Sequence, residues 1–108
     1  MKGTNLGEFE ELVLLTIGVL GEEAYGISIR AYLKEKAGRN PSIGALHSAL
    51  TRLESKGYLT SSMEGATEDR RGRRKRFYSL TTYATDVLKQ IHAMRSEMIR
   101  MIPSVDIP

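Results

Sequence analysis

The sequence predicts a mainly α-helical fold with one small β-hairpin and a long terminal helix. Three observations carry that expectation. Apolar residues recur at steps of three and four in four separate stretches. Two short alternating segments flank a charged loop past the middle of the chain. A seven-residue repeat runs along the last quarter. With 108 residues, 41% of them hydrophobic, the chain can form one small core. A chain of this size leaves much of its surface unburied, so association with a second copy would stabilise it.

Residues 6–20 read as the first helix, with Phe9, Leu12, Val13, Thr16, Ile17 and Leu20 on one face. Leu14, Leu15 and Val19 add a second apolar face, and a helix apolar nearly all round is buried nearly all round. That second face is expected to meet another subunit. Gly21 opens a turn, and residues 25–37 form the next helix around Ile29 and Leu33, with Ile27 and Tyr32 beside them and Arg30, Lys34 and Lys36 on the wet side. Ser42 is a good N-cap for a third helix running to about residue 56, with Gly57 as its stop. The third helix turns Ile43, Leu46, Leu50 and Leu53 inward. Outward it presents Gly44, His47, Ser48, Thr51 and Arg52, flanked by Ala45 and Ala49. Residues 58–63 and 75–80 alternate as strands of a hairpin with an exposed, charged tip. Thr81 caps the last helix, which runs to about residue 102. There Ala84, Ile91 and Met98 lie seven apart, as do Val87, Met94 and Met101, with Leu88 and Ile102 broadening the stripe. This is an a/d seam of the kind that joins two helices, and it is expected to lie between subunits. The organisation is then a first unit over residues 1–80 and a dimerisation helix with its tail over 81–108.

Charge is distributed unevenly. Residues 1–24 carry a net of −4 and residues 39–79 a net of +5, and residues 70–76 hold six cations, Arg70, Arg71, Arg73, Arg74, Lys75 and Arg76, in seven positions. An acidic start and a basic middle suggest one face built for a polyanion. With no cysteine, disulfides and cysteine-based zinc sites are excluded. His47 and His92 fall on different helices with no ligand at matching spacing, so no metal is expected. No Ser or Thr stands in a pattern with a His–acid pair that would activate it, so neither an enzyme nor a cofactor is expected. No apolar run approaches the length of a membrane helix, and the N-terminal residues do not resemble a secretory signal. Together these features predict a cytoplasmic protein that does not engage a membrane.

Helix, helix, helix, hairpin, helix is the layout of a winged helix-turn-helix with an appended helix, which binds double-stranded DNA. In that layout the third helix lies in the major groove. A groove-facing stripe must be slim and must not repel phosphates. Gly44, Ala45, Ser48 and Thr51 are slim, Ser42 sits at the helix mouth, and His47 and Arg52 can donate to base edges or phosphates. The cationic hairpin tip would follow the backbone or enter the minor groove, where Arg is favoured. Two rivals share the fold: a protein-interaction module, which usually spoils the groove face with carboxylates or bulky apolar groups, and a non-specific architectural DNA binder.

Four stretches of the chain also resemble the PadR family of transcription regulators, over about residues 6–88. They are LGEFEELVLL (6–15), AYGISI (24–29), SIGALHSALTRLESKGYL (42–59) and GRRKRFYSLT (72–81). The resemblance implies a homodimer joined through the first and last helices, and repression of a nearby promoter through a two-fold operator. It is to the small subclass with a single terminal helix. The family usually has Tyr where His47 stands and often Pro where Ser48 stands, so its sequence preference does not carry over. Many members release DNA on binding a small apolar or aromatic effector near the dimer interface, but this chain has no Trp to line such a pocket.

Overall fold

The structure, a computed structural model, describes residues 6–64 and 75–103. It consists of α1 (Glu8–Leu20), a short 3-10 turn (Gly21–Glu23), α2 (Gly26–Ala37), α3 (Ile43–Ser55), β1 (Leu59–Glu64), β2 (Lys75–Leu80) and α4 (Thr82–Met101). This is a winged helix with a long C-terminal helix. The two strands pair antiparallel, from Leu59 opposite Leu80 to Glu64 opposite Lys75. A further bridge from Tyr25 to Phe77 ties the start of α2 to the hairpin.

Local chemistry sets the helix boundaries. Ser42 Oγ and Thr81 Oγ1 each accept the backbone amide three residues on, at 3.0 and 3.1 Å, so α3 and α4 begin where the sequence places a hydroxyl. Gly38 ends α2 in the left-handed region at φ 65°, where an L side chain would be strained.

The core lies where the three N-terminal helices meet the hairpin and the first half of α4. Val13, Leu14 and Ile17 come from α1, Ile29 and Leu33 from α2, and Leu46, Leu50 and Leu53 from α3. Tyr58, Leu59, Tyr78, Ala84, Val87 and Ile91 close it. Tyr58 stacks on Tyr83 with ring centroids 4.9 Å apart, and burial followed by Tyr83 pushes its hydroxyl pKa up to about 12.

Four sequence expectations need correction. Leu14, placed on the partner-facing side of α1, is fully buried in the chain's own core. The cause is that α1 packs against α2, α3 and β2 together, so its covered arc is wide; only Leu15 and Val19 of the second face stay exposed. Ala49 flanks the outer stripe of α3 in the sequence reading but is buried, whereas Ile43, read as inward, is exposed. Ile43 stands at the first position of α3, before that helix has met the core. Finally, the α4 seam divides. Ala84, Val87 and Ile91 are buried under the chain's own domain, so these three are not available to a partner as expected, whereas Leu88 is half-buried against it. Every described residue after Ile91 is exposed, including Met94, Met98 and Met101. That distal segment projects by about 15 Å at the helical rise per residue. The radius of gyration is 16.1 Å, against about 13 Å for a compact domain of this length. No helix among the described residues is long and apolar enough to cross a membrane.

Candidate nucleic-acid interface

α3 offers one face to the core and the other to solvent. Leu46, Ala49, Leu50 and Leu53 are buried, while Ser42, Gly44, Ala45, His47, Ser48, Thr51 and Arg52 are all exposed. At 100° per residue, Gly44, Thr51 and Ser48 form the centre of the outer stripe, His47 one edge, and Arg52 and Ala45 the other. Among the described residues, a Cβ added at Gly44 would meet no atom beyond its chain neighbours and its own helix backbone within 4 Å, so internal packing there does not require the slimness of that position. No carboxylate appears on α3 before Glu54.

The hairpin supplies cations, Arg76 beside this helix and Lys75 over the start of α2. Lys75 and Arg76 are exposed at the start of β2. Arg76 donates to Ser61 Oγ at 2.9 Å, and Lys75 Nζ lies 4.3 Å from the centroid of the Tyr25 ring. The expected contacts Arg70, Arg71, Arg73 and Arg74 lie outside the described residues.

The acidic start of α1, read in the sequence only as a charge imbalance, is an ion-pairing hub. Glu8 takes both oxygens to Arg39 Nη1 at 2.9 Å. Glu11 is bound by both terminal nitrogens of Arg95, at 2.8 and 2.9 Å, which ties α4 to α1. Glu10 accepts from the Gly7 amide at 3.1 Å, from Arg52 Nε at 3.0 Å and from Lys56 Nζ at 3.3 Å. Burial pushes the Glu10 carboxyl up, but the Gly7 amide, Arg52 and Lys56 together outweigh it and hold the group below the usual carboxylate range. Arg52 thus also ties α3 to α1 through Glu10 while its side chain stays about half exposed, a contact that the sequence reading, with Arg52 as a base or phosphate contact, did not include. The only signal was the coincidence of an acidic N-terminus with cations on α3 and α4, and pairing across 42 and 84 residues leaves no local trace.

A second group of cations, read in the sequence only as the wet side of α2, also borders this surface. Arg30 and Lys34 lie one turn apart on the outer face of α2. With His47 and Arg76 they border a groove of about 720 Å³ between α2, α3 and the hairpin. Arg30 Nε donates to the Pro41 carbonyl at 2.8 Å, which fixes its guanidinium across the α2–α3 turn. Among the described residues no group of His, Cys, Asp and Glu is arranged to hold a metal.

Two packed helices with the second one exposed along a slim polar stripe, and a basic hairpin beside it, define the winged-helix class of DNA-binding folds. The model of the Transcriptional regulator PadR-like family matches residues 14–90, and the chain belongs to that family. It is thus a DNA-binding transcription regulator and not an enzyme. Among solved structures it is similar to a PadR-like transcription factor from Bacteroides fragilis, 27% identical, covering 85% of this chain and 84% of that one with a TM-score of 0.70. A PadR family transcription regulator from Clostridium difficile R20291 is also 27% identical, over 82% of this chain and 90% of that one, with a TM-score of 0.62. Bacillus subtilis PadR in complex with operator DNA shares the fold at 20% identity and a TM-score of 0.61, over 93% of this chain and 50% of that longer one. No curated protein matches the chain.

Proposed function

We propose that the protein is a homodimeric repressor that recognises a two-fold operator. Residues 1–80 form its DNA-binding unit and residues 81–108 its dimerisation helix and tail. The observation that carries the DNA-binding part is the outer stripe of α3. Gly44, Ser48 and Thr51 leave it slim, His47 can donate from its edge, and no carboxylate repels phosphates. The relative from Bacillus subtilis, bound to operator DNA, supports the same use of the fold. The dimer reading is supported by the distal half of α4, whose apolar residues are left uncovered by the chain's own domain. A two-fold protein asks for a two-fold site, with half-sites spaced by the dimer geometry.

Fluorescence anisotropy tests this reading with duplex from upstream of the protein's own gene, against random duplex, at two salt concentrations. A complex that survives random competitor supports the specific repressor. Binding that random duplex abolishes replaces it with an architectural binder, and absence of binding at low salt replaces it with a protein-interaction module. In the specific complex, Arg76→Ala should weaken binding to all sequences and lower the salt slope by about one unit. An unchanged slope removes Arg76 from the interface.

A further inference from the structure

We propose that Glu10 is a positioning residue for DNA binding. It holds Arg52 by Nε at the flank of α3, so that the outer nitrogens of the guanidinium face a backbone phosphate on one wall of the major groove. The role rests on the DNA-binding reading of α3. Glu10 belongs to α1 and its side chain is 9% exposed, whereas that of Arg52 is 54% exposed. The pair therefore reaches from the interior to the surface. The carboxylate is itself fixed, because its Oε1 accepts the Gly7 amide at 3.1 Å while Oε2 accepts Arg52 Nε at 3.0 Å. A guanidinium carries five donors in one rigid plane. Glu10 takes the one on Nε, and Nη1 and Nη2 of Arg52 have no recorded acceptor among the described residues. A planar group held at one corner keeps its other donors in a set direction, and such a fork suits the two oxygens of a phosphate.

The place of Arg52 on the helix selects a phosphate over a base. A helix with its side chains is about 10–12 Å across and the major groove about 12 Å wide. The flanks of a seated helix therefore meet the phosphate walls, and only its outermost line meets base edges. With Gly44 on that line, Arg52 stands about 80° to one side at 100° per residue, and His47 about 60° to the other. Arg52 also lies more than two turns past the start of α3, whereas a recognition helix contacts base edges with its N-terminal residues. Charge favours the same role. A carboxylate beside a single arginine would cancel its attraction for a phosphate. Here Lys56 Nζ lies 3.3 and 3.4 Å from the two oxygens of Glu10, so the three groups together keep a net positive charge. Neither Glu10 nor Arg52 lines the groove between α2, α3 and the hairpin. Arg52 grips from the α1 side of α3, on the flank away from His47 and Arg76.

Anisotropy titrations of the full chain with random-sequence duplex, at several salt concentrations, test the role without an operator, since a phosphate contact carries no sequence information. Arg52→Ala should lower the salt slope by about one unit. It should weaken random duplex and duplex from upstream of the protein's own gene alike. Glu10→Gln should weaken binding by about two- to ten-fold, the scale of ordering one long side chain at an interface. In an Arg52→Ala background the same change should have no further effect. Glu8→Gln removes an equal charge from the same turn of α1 but loosens Arg39 instead, so it should not weaken binding. Glu10→Gln keeps the shape of the side chain and should keep the folded circular dichroism spectrum. Should it lower the folded fraction, Arg52→Lys carries the test from the other side. One ammonium cannot hold Glu10 and present a fixed fork as well, so this variant should bind about two-fold or more weakly than the wild type. An unchanged slope in Arg52→Ala would leave Arg52 only docking α3 on α1, and a loss confined to one sequence would assign it to a base. Either overturns the phosphate contact. Wild-type or tighter binding by Glu10→Gln, wild-type binding by Arg52→Lys, or an equal loss from Glu10→Gln with and without Arg52 overturns the positioning. Absence of wild-type binding at low salt overturns the DNA-binding reading and this role with it, whereas every variant result leaves that reading standing.

Discussion

The two halves of α4 carry one repeat and meet opposite surroundings. Ala84, Val87 and Ile91 lie under the chain's own hairpin and helices, whereas Met94, Met98 and Met101 continue the same spacing into solvent. The repeat reports that one face of a helix is to be covered; it does not say by what. Residue type carries the missing information. The proximal half uses small and β-branched side chains with few rotamers, suited to a core of fixed shape. The distal half uses methionine, whose unbranched chain adapts to a surface supplied from elsewhere.

The sharpest way to break this contrast is to place a charge in each half. Ile91→Asp buries an unpaired carboxylate in the monomer core and should remove about 4 kcal/mol or more of stability, most of what a domain of this size has. Thermal unfolding by circular dichroism would show it as loss of the cooperative transition. Survival of a wild-type melt would mean the proximal half is not core. Met98→Asp should leave the folded spectrum intact and halve the mass seen by sedimentation. An intact dimer would move the interface away from the distal half.

Much of the architecture was legible in the sequence. Ser42 and Thr81 announced the starts of α3 and α4, and alternation placed both strands within a residue of their observed limits, because capping and strand patterning are local chemistry. The outer stripe of α3 was legible for the same reason. What was not legible depends on neighbours distant in the chain. Leu14 and Leu15 are adjacent and equally apolar, yet one is core and the other exposed, because the width of the covered arc of α1 is set by three separate elements. Ile43 fits the inward spacing but precedes the turn at which α3 reaches the core. Arg52 was readable as a cation on the stripe, but its ion pair with Glu10 belongs to the meeting of α1 and α3. Arg30 and Lys34 were readable as a wet face and became a groove wall only once the hairpin folded beside α2.

The consecutive carboxylates of α1 extend the comparison, since Glu10 holds α3 and Glu11 holds α4. Glu10→Gln keeps the shape but removes the charge that Arg52 and Lys56 share. It should cost about 1.5–3 kcal/mol at neutral pH, the scale of hydrogen bonds to a charged group. Because the folded-state pKa of Glu10 is lowered, its contribution is present above the ordinary carboxylate range and is lost as pH falls through the folded value. Urea unfolding should therefore show the wild type and the variant converging in acid and separating toward neutrality. A constant gap across that range would mean that the lost stability is steric rather than ionic.

The smallest expected effect lies at the junction of the two halves. Arg95 is one turn past Ile91, and its fork on Glu11 is the last recorded side-chain hydrogen bond between α4 and its own domain among the described residues. Its side chain is more than half exposed, so Arg95→Ala should cost only about 1 kcal/mol, near the upper end for a partly exposed pair. The structural consequence should be larger than the energetic one, because without the fork nothing recorded fixes the direction in which the distal half leaves the domain. In a Met98→Asp background, which removes any contribution from a partner, Arg95→Ala should speed amide exchange in residues 92–101 and leave residues 84–91 as protected as before. In the otherwise unmutated chain it should weaken the dimer, because a partner helix then has to order the segment as well as pack on it. Equal exchange in both halves would show that α4 is a single rigid rod, and that Ile91 marks only the end of burial and not a mechanical boundary.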